Sequence, residues 1–488
     1  MSNINPLDLV EIRLSIAEHL KRPDLACCLR VCWSWHDTFL PLVWENLSVD
    51  NSRTDEQYQD SFKPEVLSTH RHLIKDLNIF DWSGNYPLAF PRIQKLDFHL
   101  GKGNSPFLDK YLAPLIRGNQ SLVKLHLRSH SNDYHCRQWE ALLELPHLKE
   151  LSLRMSSIQE DDIVRFWTIC QNLESLLLEE VSFPQGTTPH ALMCFQDIRK
   201  LQLCFVSGIK EEEQFHFISA CPNLEDLAWY CFSSIEPDND LQGDGAMGGP
   251  YFNEFAKEVG RKRWPRLTSL KMDGQWSEED TCLIIEGMQR VKKIDLDETF
   301  GSLTFQALQR HFNNLVELQV ETDSEETSIL LQNIMCSCPA LKKLEGGGVL
   351  AKHVVEGKPW VCLLLESLSI CFMFSDTEQH LQPLIFECLA KLTLLEHFCS
   401  GAIITPFHKR YPVPLQLRLQ SGLNALSGLR WMVSLFPSQR KSLGENELRW
   451  MLAHWKELKS VSANVDIDDR TRIELQNLFK SRGIKLRL

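Results

Sequence analysis

Residues that could do chemistry are few in this chain of 488 amino acids and lie far apart. Gly346-x-Gly348-x-x-Ala351 follows a strand-like run, and such glycines can let a backbone approach a dinucleotide's pyrophosphate where a helix begins. No convincing helix follows, and the segment falls at a strand-to-helix turn of the repeat described below, so it reads as packing. Cys336-x-Cys338 lacks the spacing of a zinc knuckle and has no second pair nearby, so both read as core thiols. Glu211-Glu212-Glu213 and Glu278-Glu279-Asp280 read as solvated first turns of helices, where carboxylates meet the positive end of the helix dipole. Arg261-Lys262-Arg263, with Arg266, reads either as a nuclear import signal or as an exposed loop before a strand. Trp229, Tyr230, Phe232 and Trp276 fall at or just beyond strand ends. Trp229 reads as core, while Tyr230 and Trp276 are candidates for a target-binding face, because aromatics are enriched at interaction hot spots. No catalytic, metal or cofactor set emerges, and the chain itself is expected to break no bond.

What positions these residues is a short stretch that recurs. It reads SLVKLHLRS at Ser121–Ser129, HLKELSLRM at His147–Met155, NLESLLLEE at Asn172–Glu180, DIRKLQLCF at Asp197–Phe205 and NLEDLAWYC at Asn223–Cys231. The central leucines, Leu125, Leu151, Leu176, Leu201 and Leu227, are separated by 26, 25, 25 and 26 residues. A fixed period in the twenties marks a solenoid. Within each copy apolar and polar residues alternate, as in Leu151-Ser152-Leu153, which suits a strand with one buried face. One such strand cannot bury that face alone, so neighbouring copies must stack. The period resumes at Leu270, Ile294, Leu318, Leu344, Leu368 and Leu392, in steps of 24, 24, 26, 24 and 24. The fold expected is α/β: a curved parallel sheet on the concave side and helices on the convex side. About fourteen strands at roughly 4.8 Å each give an inner arc of roughly 65 Å.

Composition narrows the function classes. The chain is 43% hydrophobic and 24% charged, as an ordinary globular protein is. A net charge of −12 argues against a nucleic-acid backbone as the main partner. No apolar run reaches membrane-spanning length. MSNINPLDLVEIRL carries acids where a secretory signal needs basic and then apolar residues, so the 16 cysteines read as reduced thiols of an intracellular protein, cytoplasmic or nuclear.

The first 47 residues lack the repeat. Asp8 and Glu11 have capping-box spacing, and Leu9, Ile12, Ile16 and Leu20 share a helical stripe. Pro23 ends that helix, Asp24 can start a second carrying Leu25, Cys28, Leu29, Cys32 and Trp35, and a third holds Phe39, Leu42, Val43 and Trp44. Three short helices in so few residues form a small core and leave apolar side chains over, which points to a partner. Glu11-Ile12, Asp24-Leu25 and Val31-Cys32-x-x-Trp35, in that order with Leu9, Ile16, Leu20 and Trp44, resemble the F-box, with Val10 where the family usually has proline. The resemblance implies a three-helix motif that docks the Skp adaptor of cullin–RING ubiquitin ligases through Leu9, Ile12, Ile16, Leu20, Leu25, Val31, Cys32 and Trp35. Ile12 and Ile16 could instead be internal. The other reading makes these helices a cap over the first repeat of a protein-binding scaffold.

Residues 48–70 read as a polar connector and 71–488 as the repeats, first seen at Ile74-Leu77-Ile79 and Ile93-Leu96-Phe98. Gly101–Ser105 reads as a loop. Glu236–Pro250, rich in Gly, Pro and Asp, reads as a flexible insertion. Cys170-Gln-Asn-Leu173, Cys221-Pro-Asn-Leu224 and Cys338-Pro-Ala-Leu341 resemble the cysteine-containing class of leucine-rich repeats. GAIITPFHKRYPVP reads as an interruption, Gln416–Val433 as a helix, Asn446–Val461 as a helix and strand, and Ile484–Leu488 as an edge strand. The C-terminal part resembles fungal F-box/leucine-rich-repeat proteins. The resemblance implies a substrate-recognition subunit of an SCF-type ubiquitin ligase, with an unidentified target protein on the concave face and neither nucleic acid nor membrane as partner.

Overall fold

The computed structural model describes residues 6–50, 64–80, 89–99, 105–129, 138–186, 194–230, 250–272, 276–296, 300–320, 324–400, 413–436, 443–462 and 467–487. The chain divides into two compact units, one built from Met1–Leu224 with Tyr230–Pro237 and one from Glu225–Trp229 with Asp238–Leu488.

The first unit opens with three short helices: α1 (Val10–Ala17), α2 (Arg22–Cys28) and α3 (Trp33–Glu45). The capping box at Asp8 does not form. Leu9 holds the cap position without a side-chain bond, and the Asp8 carbonyl accepts from Arg13 instead. Helix α2 begins at Arg22, so Pro23 opens it rather than only ending α1; proline in a first turn costs nothing, because the N–H it lacks has no helical partner there. Helix α3 begins at Trp33, which takes Cys32 and Trp35 off the expected Leu25 stripe.

Parallel strands follow: β1 (Asn46–Asp50), β2 (Asp76–Phe80), β3 (Lys95–His99), β4 (Lys124–Arg128), β5 (Glu150–Ser157), β6 (Ser175–Ser182) and β7 (Lys200–Cys204). Strand β1 pairs with β2, so the sheet starts across the expected boundary at 47/48, and a helix at Pro64–His70 lies in the expected connector; residues 51–63 fall outside the described residues. Register aligns one apolar row, Leu77, Leu96, Leu125, Leu151, Leu176 and Leu201, across six strands. Every member is buried, whereas Asn78, His126, Ser152, Leu177 and Gln202 between the rows are half-buried on the open face. Behind the rows, Trp167 of the helix Ile163–Cys170 lies 5.0 Å from Phe217 of the helix Glu211–Ser219, ring to ring.

The second unit repeats the plan with β8 (Asp226–Tyr230, its last residue grouping with the first unit), β9 (Ser269–Met272), β10 (Lys293–Asp295), β11 (Glu317–Gln319), β12 (Lys343–Leu350), β13 (Ser367–Phe374), β14 (His397–Cys399), β15 (Val413–Pro414), β16 (Ser434–Phe436), β17 (Ser460–Ser462) and β18 (Lys485–Arg487). All pair in parallel except β15, which runs antiparallel to β13. Strand, turn and returning helix stacked in register make each unit a stretch of leucine-rich-repeat solenoid, and the fold is α/β.

Phe398, not Leu392, pairs with Leu368; Leu392 stands six residues earlier, the place Cys338 and Cys362 hold before Leu344 and Leu368. Every one of these is fully buried, so the thiols are core and their pKa values rise, to about 12 for Cys338 and Cys362, through burial. The helix expected over Gln416–Val433 is absent. Two 3-10 turns, Leu419–Ser421 and Leu423–Gly428, replace it, because Gly422 sits between them at φ +111°, outside the helical region. A Cβ there would lie 3.0 Å from Pro383 Cα. Gly346 of Gly346-x-Gly348 also serves packing: a Cβ there would meet Leu331 at 3.0 Å, and only the short helix Ala351–Glu356 follows. The insertion over 236–249 and the interruption over 401–412 lie outside the described residues, as does the loop over 101–104.

Leu176→Ala is expected to cost about 2–5 kcal/mol, the transfer and cavity terms together. Leu177→Ala, one residue on and facing outward, should cost under about 1 kcal/mol. Equal losses in urea unfolding would refute the alternation. Gly422→Ala should destabilise by more than about 1 kcal/mol, since it combines strain with a close contact.

Candidate functional site

Helix α1 reverses the ordinary arrangement of a surface helix. Its sequence, VEIRLSIA, alternates apolar and polar residues, so no one face is apolar, yet the residues it buries are Arg13 and Ala17. The Arg13 guanidinium points inward, donating to Ser34 Oγ at the start of α3 and, at 3.1 Å, to the Asp8 carbonyl. The charge thus ties α1 to α3, while Leu9, Val10, Ile12 and Leu14 stand exposed, with Leu7 just before them. A surface helix ordinarily turns its apolar stripe to the core; this one turns Arg13 there and leaves Val10, Ile12 and Leu14 exposed.

The small core beneath is Ala17, Leu25 and Phe39, with Leu20, Cys28, Leu29, Trp35, Leu42 and Val43 packed around it. Leu25 is 8% exposed, so it supports the surface and is not available to a partner. Leu20 and Trp35 are likewise committed inward, Trp35 lying 5.3 Å from Phe39 ring to ring. Ile16 is half-buried; Leu9, Ile12, Val31 and Cys32 are exposed. Arg13, Leu7, Leu14 and Trp33 are not singled out by the sequence pattern, and Val10 stands out there only as the residue in the usual proline's place. Trp33, 81% exposed beside His36, is the largest apolar side chain on this surface. Its signal was its spacing from Trp35: two residues apart at the start of a helix, one must face outward when the other faces in.

Helix α3 runs straight into β1. Glu45 ends the helix and Asn46 begins the strand; the Glu45 carbonyl accepts from Lys75 N at 2.9 Å and its carboxylate pairs with Lys75 Nζ at 2.6 Å. Trp44 stacks on His70 at 4.5 Å.

The open face of β3–β5 carries a chain of charges. His126 Nε2 lies 2.8 Å from Glu150 Oε1, and its Nδ1 lies 3.7 Å from Asp97 Oδ2. His99 Nε2 is 3.2 Å from Asp97 Oδ1, off the hydrogen-bonding direction, and Phe80 covers the His99 ring at 4.1 Å. Lys124 reaches Glu150 at 3.0 Å. Burial pushes the Asp97 carboxyl up, but His126 and His99 pull it down further, to well below the carboxylate range. His126 and then Lys124 outweigh burial at Glu150 and hold it at about 2. Asp97 and Glu150 together raise His126.

Beyond this cluster the chain kinks at the same point in three successive repeats: Met155, Glu180 and Phe205 adopt φ of 50°, 53° and 55°. Pairing passes from Arg154–Glu179 to Ser156–Val181, skipping the kinked residues. Left-handed backbone is uncommon outside glycine, and a bulky side chain there is an outlier. Phe205 is exposed and faces the half-buried Tyr230 at 6.2 Å. Tyr230 therefore lies at an accessible edge. Trp276 does not: it is 5% exposed, packed 6.0 Å from Trp229 and 5.6 Å from Phe255, and is corrected to core.

Neither acidic run is simply solvated. Glu213 is buried and accepts from Lys210 N at 2.8 Å, and Glu278 accepts from Leu303 N at 2.8 Å, capping the next helix. Arg261 and Arg263 both pair with Glu258, at 2.5 and 2.9 Å. Phe232 lies outside the described residues. Among the described residues no three His, Cys, Asp or Glu side chains converge to hold a metal ion, and no helix is long and apolar enough to cross a membrane.

No family model matches the chain. Over 271 residues it is 24% identical to a transport inhibitor response 1-like protein of Oryza sativa subsp. japonica, a match covering 49% of this chain and 44% of that protein. The chain therefore spans less than half the length of that relative. Among solved structures it is similar to a chain of the yeast Rad7–Elc1 complex, at 12% identity and a TM-score of 0.44 over 100% of this chain and 98% of that one. It is also similar to a chain of the TLR13–ssRNA13 complex, at 13% identity and a TM-score of 0.38 over 83% and 54% of the two chains. An internalin of Listeria monocytogenes gives 13% identity and a TM-score of 0.34 over 77% and 88%.

His126→Gln tests the charge chain. A raised histidine pKa stabilises the fold below the unfolded value and loses that contribution as pH rises through the folded one. The depressed Asp97 and Glu150 contribute above their unfolded values, near pH 4, and lose that contribution as pH falls. The stability gap between wild type and His126→Gln is therefore expected to be widest at roughly pH 5–6 and to narrow toward higher pH. A gap independent of pH would show that the imidazole is not held charged.

Proposed function

We propose that this chain is the target-binding subunit of an SCF-type cullin–RING ubiquitin ligase, its three N-terminal helices docking the Skp adaptor and its repeats holding a target protein. The observation that carries the reading is α1, where Val10, Ile12 and Leu14 face out while Arg13 faces in. Leaving large apolar groups in water is unfavourable, and their gathering in one short segment marks a partner surface. Leu9, Ile12, Val31 and Cys32, with Leu7, Val10, Leu14 and Trp33, are the contact residues; Leu25, Leu20 and Trp35 hold the helices in place beneath them. The resemblance of residues 1–47 to the F-box supplies the identity of the partner.

In this role the chain contributes proximity. Holding a target beside a ubiquitin-charged enzyme turns a bimolecular transfer into a local one. The charge chain on β3–β5 and the Phe205–Tyr230 edge are the target-binding candidates, and a cytoplasmic or nuclear location follows from the same reading. A second reading, a protein-binding scaffold whose helices are only a cap, draws on α3, which meets β1 directly and leaves α1 outside.

The test is titration of the full chain with purified Skp adaptor. Submicromolar to micromolar binding is expected, weakened by about tenfold or more in Ile12→Asp and in Trp33→Ala, with melting unchanged because both side chains are exposed. No binding at about 10 µM adaptor leaves the scaffold reading.

A further inference from the structure

Arg13 is 3% exposed, and its charge is unmatched. The guanidinium donates to Ser34 Oγ and to the Asp8 carbonyl, both neutral acceptors, and its Nε has no partner. Among the described residues no carboxylate pairs with it. Asp8 offers its backbone, Asp37 is turned to His36 at 3.3 Å, and Glu11 stands exposed. A buried cation is expected to be paired, because taking it out of water is costly. The N-terminus of α3 brings a second positive pole to the same place. This helix of 13 residues has no side-chain cap at Cys32 and no acid in its first turn. The opening N–H groups of a helix have no partner within it, and together they carry about half a positive charge. The helix Glu278–Gly287, by contrast, opens on Ser277, whose hydroxyl accepts from Asp280 N, and has three acids in its first turn. Ser34 stands where the two poles meet. It is the second residue of α3, it accepts from Arg13, and it is exposed. Of the two groups bonded to the guanidinium, only this hydroxyl can take on a charge.

We infer that Ser34 is a phosphorylation site, at which the phosphoryl group pairs with Arg13 and with the first turn of α3. A protein kinase supplies the group from ATP. Ser34 Oγ bonds to the γ-phosphorus, the bond from that phosphorus to the β,γ-bridging oxygen breaks, ADP leaves with that oxygen, and the hydroxyl proton passes to the kinase's base. The product carries about −1.5 to −2 charge on three acceptor oxygens, which answers a guanidinium and a helix N-terminus together. The pairing ties α1 more firmly to α3. It also changes the surface, because Val31, Cys32 and Trp33, just before Ser34, are exposed. Burying a dianion against an apolar partner is costly, so a chain modified at Ser34 releases the adaptor. That release rests on the adaptor reading; the pairing with Arg13 does not.

The full chain is prepared with phosphoserine incorporated at position 34, and hydrogen exchange is followed in α1. Amides of Val10–Ala17 are expected to exchange about tenfold more slowly than in the unmodified chain. The same comparison, made within each background, should show no gain in Arg13→Gln and a partial gain in Arg13→Lys, which keeps the charge. Equal exchange with and without the phosphoryl group, or an undiminished gain in Arg13→Gln, overturns the pairing. The same protection of the unmodified chain by millimolar inorganic phosphate would make this a site for a free anion and overturn the modification. Chain purified from the cells that make it should carry phosphate on Ser34 of the tryptic peptide Val31–Arg53, and a peptide recovered only unmodified there overturns the assignment. Skp adaptor titrated against both forms should bind the phosphorylated one about tenfold or more weakly. Equal affinity overturns the release. Absence of binding to either form defeats the adaptor reading and leaves the exchange result standing.

Discussion

Everything in this molecule depends on a register. A strand of five residues with one apolar face cannot exist alone in water, and it persists because the same two positions in the next strand stand beside it. Leu151 has Leu125 on one side and Leu176 on the other, and the same holds along each unit. Register decides which side chains are spent on the core and which remain for partners. It also explains the tolerance of variation elsewhere: the place before the strand can be Cys, Leu or Phe, because burial is all it must supply.

The leucine rows were legible because two periods coincide, alternation within the strand and about 25 residues between strands. Strand β1 was hidden because only Leu47 and Val49 mark it, directly behind an apolar helix. Phe398 was hidden because Leu392 sits one period after Leu368 and satisfies the count, although it occupies a different place in the repeat. At Gln416–Val433 the apolar spacing suits a helix, and a single left-handed glycine overrides it.

The site was legible in part. Leu9, Ile12, Val31 and Cys32 stand exposed as the F-box resemblance implies, whereas Leu20, Leu25 and Trp35, expected at the adaptor, are committed to the small core beneath, and the exposure of Leu14 carried no signal in the pattern. Arg13 is the cause: by reaching Ser34 it fills the space an apolar side chain would take, and the greasy residues of that helix are left outside. Trp276, taken as a surface aromatic, completes a cluster with Trp229 and Phe255.

The junction of α3 and β1 has a mechanical meaning. Glu45 and Asn46 adjoin with no intervening loop, and Lys75 and His70 clamp both sides of the seam. A swivel needs slack, and there is none at this joint. Whatever grips α1 is therefore set at a constant offset from the open face of β2–β5, as a tool is set by its shank. Anything seated on those strands would be held at one height and one angle to it.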